Sequence, residues 1–355
     1  MVNPHLRRTL QEFVAIDSAG DTDKSDILGA AVREIEAMGL APHVYRDMKA
    51  VAATFGARGV VFNGHLDTVP FGSGWTRPHG EVVGDRMYGR GTADMKGGCV
   101  AMLGAARDLL REKVPFSLFF TTDEETTMRA AMTLHGEPFL REAAAVVVGE
   151  PSSVKIVGAE KGILWFEVTT RGRSAHGSTP HLGDNAIYRM VRILREVEPR
   201  SRPRDYLAEL TINLGAIRGG SKPNVVADEC TADLDVRFPP TMTDREARAM
   251  VESLIANASQ PAELKVKHFV PAASVDVKSP HIVAMQRLAG PEVRTVSYGT
   301  EMAWFIASNP RCLVLGPGPP DHIHVPDEYV DFPEVERAAG IYQAYAKAMA
   351  PTPTA

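Results

Sequence analysis

Two amphipathic segments open the chain. Leu6, Leu10, Phe13 and Val14 recur at helical spacing, and Ile27, Leu28, Ala31, Ile35 and Met38 mark one face of a second segment. A polar turn at 18–23 separates them. Asp23 or Ser25 is placed to cap the second helix, and Gly39 ends it. Four short continuous apolar runs follow, at 59–62, 116–120, 144–148 and 312–315. Runs of this length are the pattern of strands buried on both faces. Each leads at once into polar chemistry: Gly64-His65-Leu66-Asp67, then Asp123-Glu124-Glu125, then Gly149-Glu150, then Gly316-Pro317-Gly318 with a histidine cluster behind it. Open α/β sheets bind ligands outside the carboxyl ends of their strands. The pattern therefore predicts an α/β fold, an open sheet with helices on both faces, whose acids and imidazoles collect at one edge. Gly97–Arg111 fits a crossover helix, with Cys99, Leu103, Ala106 and Leu110 on one stripe.

The middle third has a different grammar. Alternating segments at 164–170, 210–214, 230–236 and 264–269 are interleaved with helical patterns at 185–197 and 243–256. That β-α-β-β-α-β order predicts an inserted ferredoxin-like α+β domain at 160–271. The first domain is then discontinuous, 1–159 and 272–355, and Val270-Pro271-Ala272-Ala273 returns the chain to it. The tail from Pro351 is expected to fray.

Composition narrows the classes. The 355 residues carry 39 basic and 44 acidic side chains, a formal charge of −5. Such a balance favours neither nucleic acid nor an anionic membrane. Hydrophobic residues at 44% and charged residues at 23% are ordinary for a globular protein, which excludes disordered and fibrous classes. No apolar run reaches the ~18–20 residues of a membrane span. The first residues are polar, with Arg7 and Arg8 but no apolar signal core. Cys99, Cys230 and Cys312 are too few and too scattered for a disulfide framework or a paired zinc motif, so a reducing cytoplasm is expected.

The chemistry concentrates in five segments. They are His65 and Asp67 in His-Leu-Asp-Thr-Val-Pro, Asp94 in Gly-Thr-Ala-Asp-Met-Lys-Gly-Gly, the pair Glu124-Glu125, Glu150, and His324 in His-Val-Pro-Asp-Glu. Imidazole nitrogen and carboxylate oxygen are zinc donors. Two divalent ions would offset the charge of Asp94, Glu125 and Glu150 in a dry cleft. The order of these motifs resembles the zinc aminoacylase and carboxypeptidase group that contains acetylornithine deacetylase and succinyl-diaminopimelate desuccinylase. The resemblance spans nearly the whole chain and implies a zinc-exopeptidase-like catalytic domain with an inserted dimerisation lid.

The resemblance also implies roles. His65 and Glu150 would hold one Zn2+, Glu125 and His324 the other, and Asp94 would bridge them, with a cis peptide to Met95; Co2+ or Mn2+ would also suit this donor set. Asp67 would accept the second ring N–H of His65. Glu124 would be the general base. His176 in Ser-Ala-His-Gly-Ser would reach across a homodimer to an oxyanion, while Arg237, Asn224, Gly299 and Thr300 would bind the substrate carboxylate. The implied reaction is removal of an N-acyl group from an amino acid, most like acetylornithine deacetylase. The desuccinylase reaction and exopeptidase action on small peptides are the alternatives, and a ligand-binding protein without catalysis is the reading from another class. Simpler readings stand beside these. Asp67 would cap a turn, His176 would be a turn histidine, His322 competes with His324, Gly97 and Gly98 would only permit close packing, and Asp327 and Glu328 would be acids that support the ligands from behind, or loop acids. No role follows for Glu301. After Glu125 the family has a Gly-containing turn where this chain runs Thr126-Thr127-Met128-Arg129, which leaves the next helix start open.

Overall fold

The first helix, Pro4–Ala15, begins where sequence chemistry places it. Pro4 lies in the first turn, where its missing N–H costs nothing, and the Asn3 side chain accepts from His5 N. Its apolar face, Leu6, Leu10, Phe13 and Val14, is buried. The second helix, Ser25–Ala37, buries Ile27, Ala30, Ala31 and Ile35. Its cap position falls on Lys24 without a side-chain bond, while Asp23 accepts from Ser25 N. These elements belong to a computed structural model that describes residues 3–351. The expectation for the tail beyond Pro351 lies outside the described residues.

The chain divides into two units, one of Met1–Gly158, Val275–Arg294 and Thr300–Ala355, the other of Ala159–Ser274 and Thr295–Gly299. The sequence reading places 272–274 and 295–299 with the first unit, whereas these short pieces group with the second.

In the first unit the sheet runs His43–Tyr45, Ala50–Phe55, Phe116–Thr121, Val60–His65, Ala145–Val148, Cys312–Val314, Ile156–Glu160. The four predicted apolar runs are its consecutive central strands. They are mutually parallel and buried throughout. Antiparallel neighbours flank them, so the sheet is mixed. Both faces are covered. Alternate side chains point to opposite faces of a strand. Phe116, Leu118 and Phe120 enter the core shared with Gly97–Arg111 and Phe332–Met349, while Phe119 meets Phe139 and Phe305 on the other side. Because the central strands run the same way, their carboxyl ends share one edge. His65 ends its strand opposite Thr121, and Glu150 follows Val148 by two residues.

In the second unit, strands Gly162–Arg171, Thr211–Gly219, Glu229–Phe238 and Glu263–Val270 pair antiparallel, in the order 211–219, 229–238, 162–171, 263–270. That is the ferredoxin-like arrangement. Leu164, Phe166 and Val168 face helices Ala186–Val197 and Asp244–Asn257. Asn185 caps the first helix, and a capping box of Thr243 and Glu246 starts the second. The three cysteines are buried, and none is in a disulfide among the described residues. Among the described residues no helix is long and apolar enough to cross a membrane.

Candidate metal centre

The site is built where the parallel strands end. His65 is the last residue of its strand and is buried. Its Nε2 lies 3.1 Å from Asp94 Oδ1 and 3.4 Å from Glu150 Oε1. His324 Nε2 lies 3.0 Å from Asp94 Oδ2 and 3.0 Å from Glu125 Oε1. Each carboxylate oxygen of Asp94 thus faces a different imidazole, which is the placement a bridging ligand requires. The ligand atoms of His65, Asp94 and Glu150 form one group within 4.8 Å of one another, and those of Asp94, Glu125 and His324 a second. His65, Glu124 and Glu125 also converge, but Glu124 Oε2 stands 4.0 Å from His65 Nε2, farther off than Asp94 or Glu150. His322 turns away and packs against Tyr329.

Local structure explains how each group is held. Asp94 lies in the turn Thr92–Lys96, and the Asp94–Met95 peptide is cis. The helix behind it backs directly onto the segment carrying Glu150, since a Cβ on Gly98 would stand 2.2 Å from the Gly149 carbonyl oxygen. His324 has φ 60, a left-handed backbone that non-glycine residues rarely adopt. Such outliers collect at functional sites. After Glu125 the missing glycine is replaced by Met128, which takes φ 49 itself. Asp123 then accepts from Arg129 N at 2.7 Å and starts helix Arg129–Leu134.

Asp67 offers His65 two acceptors. His65 Nδ1 donates to the Asp67 main-chain oxygen at 3.0 Å, while the nearer carboxylate oxygen is 3.5 Å away. The Asp67 carboxylate instead accepts from Glu124 N at 3.3 Å and Glu125 N at 3.1 Å. It therefore positions the general-base candidate and a ligand as well as bordering the histidine.

Sequence reasoning left Glu328 open between a ligand-supporting acid and a loop acid. This fully buried acid accepts from Gly91 N at 2.9 Å and from Ala93 N and Asp94 N at 3.2 Å, and its other oxygen pairs with Arg90 Nη1. It lies four residues after His324 in the same motif, and that proximity was the available signal. One loop therefore carries a candidate ligand and anchors the backbone of the candidate bridging residue. Glu328→Gln is expected to weaken metal binding about 10–100-fold, the usual effect of losing a group that orients a ligand. Calorimetric titration of metal-stripped protein with Zn2+ measures it.

The electrostatics fit a pair of cations. Burial pushes Glu150 up to about 7 and Glu124 well above the usual carboxylate range, with neighbouring acids adding to both. Burial opposes protonation of His65, but Glu150, Asp67 and Asp94 outweigh it and raise the imidazole. Burial likewise opposes a charge on His324, yet its hydrogen bonds to Asp94 and Glu125 carry it up to about 10. Every group shifts toward holding a proton or a positive charge, apart from Asp94, which those imidazoles keep ionised. A buried acid cluster short of positive charge is what divalent ions neutralise. Two imidazoles with carboxylates suit Zn2+, Co2+ or Mn2+.

The remaining candidates lie elsewhere in the fold. Thr300, in the first unit, is buried, and its hydroxyl accepts from Met302 N at 3.1 Å. His176, Asn224, Arg237 and Gly299 belong to the second unit. His176 is exposed, and Ser178 N donates to its Nδ1, so the ring proton sits on Nε2. Arg237 is held by Asp235 through two bonds of 2.8 and 3.0 Å. Asn224 is exposed beside Gly177, whose N donates to the Asn224 carbonyl.

Known proteins are similar to this chain in sequence and in fold. The family model "Peptidase family M20/M25/M40" matches residues 61–348. An acetylornithine deacetylase of Pectobacterium atrosepticum is 35% identical over 294 residues, 78% of this chain and 76% of that protein. In fold, the chain is similar to the M20 family metallo-carboxypeptidase Sso-CP2 of Sulfolobus solfataricus, with TM-score 0.81, 18% identity and coverage of 98% and 99% of the two chains. It is similar also to YXEP of Bacillus subtilis, described as a dinuclear metal-binding peptidase, with TM-score 0.73, 15% identity and 96% coverage of each chain. The match over most of the sequence, joined to a cage built for two metal ions, shows that the chain belongs to peptidase family M20/M25/M40 as a metal-dependent hydrolase of amide bonds.

Proposed function

We propose that the protein removes an N-acyl group from an amino acid, with N-acetylornithine as the preferred type of substrate. The observation that carries the chemistry is Asp94 facing His65 with one oxygen and His324 with the other, with Glu124 close by and outside the shortest contacts. The relative at 35% identity, an acetylornithine deacetylase, supports the substrate.

His65 and Glu150 would hold one ion, Glu125 and His324 the other, and Asp94 both; zinc is the proposed metal. Bound there, the ions supply Lewis acidity toward the acyl carbonyl and a lowered pKa for water. Glu124 accepts the proton of the attacking water and delivers it to the leaving amine nitrogen. Asp67 keeps the Glu124 backbone in place for both transfers. His176, with its proton on Nε2, is the proposed donor to the oxyanion, acting in the partner subunit of a homodimer formed through the inserted domain. Arg237, its guanidinium plane fixed by Asp235, and Asn224 are proposed for the substrate carboxylate. Gly299 and Thr300 are proposed to contribute through their backbone, the Thr300 hydroxyl being engaged by Met302 N. Three scattered cysteines, none in a disulfide among the described residues, support a reducing compartment, with the cytoplasm proposed.

Exopeptidase action is the second reading, supported by structural neighbours described as an aminopeptidase and a metallo-carboxypeptidase. Offered N-acetylornithine, N-succinyl-diaminopimelate and a dipeptide panel, the zinc- or cobalt-loaded protein is expected to turn over N-acetylornithine fastest. Hydrolysis of the succinyl substrate or of dipeptides alone would replace the substrate assignment with one of its rivals.

A further inference from the structure

His324 is the odd member of the cage. Its side chain is 47% exposed, whereas those of His65, Asp94, Glu124, Glu125 and Glu150 are 9% exposed or less. Packing therefore does little to place it. Its own loop does little too: among the described residues, 323–327 lie outside every helix and strand and make no main-chain to main-chain hydrogen bond. Yet His324 and Asp327 both hold left-handed backbone, at φ 60 and φ 57. Residues other than glycine keep such a conformation where their surroundings fix it.

The Asp327 carboxylate supplies the fixing contacts. Its Oδ1 accepts from Thr76 N and from Arg77 N, each at 2.9 Å, and its Oδ2 accepts from the Thr76 hydroxyl. These donors lie 251 and 250 residues earlier, on a segment that is itself seated. The Trp75 ring stacks on Phe71 with centroids 4.3 Å apart, and its Nε1 donates to the Phe71 carbonyl. The Arg90 guanidinium stands 5.4 Å from the Trp75 ring centre and pairs with Glu328. A Cβ on Gly74 would come within 3.3 Å of Pro326 Cγ, so the two loops run side by side. The His324 loop is thus fastened at two adjacent acids with different reach. Glu328 holds the main chain of Asp94, which faces both imidazoles. The bonds of Asp327 go to Thr76 and Arg77, outside the cage, so its bearing on the cage runs through the turn that carries His324.

We propose that Asp327 is a positioning residue for one ion of the pair. Its bonds to 76–77 fix the left-handed turn that presents His324, so removing them loosens the ion assigned to Glu125 and His324 and spares the one assigned to His65 and Glu150. The inference rests on the two-ion reading of the site.

The test titrates metal-stripped, full-length protein with Co2+, an ion suited to the donor set, and follows uptake by calorimetry and by visible absorption. His65→Ala and His324→Ala assign the two uptake steps. Asp327→Ala is expected to weaken the His324 step about 10–100-fold, the usual effect of losing a group that orients a ligand, and to leave the His65 step within about twofold. Asp327→Gly adopts a positive φ without strain, and so covers the case of an alanine variant that does not fold. It is expected to weaken the same step, because the lost bonds and not the strain are decisive. Asp327→Asn is expected to stay within about threefold of wild type at both steps, since its amide oxygen still accepts from the two N–H groups and its amide nitrogen can donate to the Thr76 hydroxyl. With His324 already alanine, adding Asp327→Ala should change the remaining uptake by less than about twofold. Both steps weakened alike, neither step weakened in the alanine and glycine variants, or an asparagine variant as impaired as alanine would overturn the inference. Wild type that takes up one ion or none would instead remove the two-ion reading, and the inference with it.

Discussion

Glu124→Ala is expected to retain both metal ions and to lose turnover by about 10³-fold, within the range that a positioned proton-transfer group supplies. The expectation comes from distances and from support. Glu124 Oε2 is 4.0 Å from the nearer imidazole, whereas Asp94 and Glu150 reach the same nitrogen at 3.1 and 3.4 Å. Its backbone N–H is held by the Asp67 carboxylate, as is that of Glu125 next to it. In the proposed mechanism these neighbours in sequence would present one carboxyl toward the cations and the other toward the reacting water. Burial and the charges of Glu150, Glu125 and Asp94 all raise Glu124, so it takes a proton readily. Metal content by mass spectrometry, read beside kcat, separates the roles. Loss of one ion together with the activity would make Glu124 a ligand and leave the general base to be sought elsewhere.

Asp94→Ala should be more destructive, because one side chain serves both halves of the cage. Its Oδ1 faces His65 and its Oδ2 faces His324, each at bonding distance. Removing it leaves His65 with Glu150 and His324 with Glu125, two donors apiece from these pairs. Both affinities should collapse, and activity should fall to background at any accessible Zn2+ concentration. Asp94→Asn, which keeps the shape and gives up the charge, should lose metal too, since a neutral amide cannot offset two cations. Equilibrium dialysis against Zn2+ reads both variants. A variant still holding two ions would show that Asp94 does not bridge.

Much of this architecture was legible in the chain because each of its main devices leaves a local trace. Strands covered on both faces read as unbroken apolar runs, and the groups that follow them fall at one edge once the strands are parallel. The inserted unit showed through a change from continuous runs to alternation. What stayed hidden depends on which atom meets which. Sequence spacing cannot say whether His65 Nδ1 finds the carbonyl or the carboxylate of Asp67, two acceptors 3.0 and 3.5 Å away. Glu328 could not be told from a loop acid because its partners are backbone N–H groups more than two hundred residues earlier. The turn after Glu125 was opaque because the expected glycine is absent and Met128 adopts the left-handed conformation in its stead. Residues 295–299 carry no composition shift to mark their grouping with the second unit.

Metal stoichiometry of the purified, full-length protein tests the two-ion cage most directly. Stripped protein titrated with Zn2+ should take up two ions per chain, and His65→Ala and His324→Ala should each impair a different one. Wild type that saturates at a single ion or binds none, or two histidine variants that impair the same ion, would contradict it.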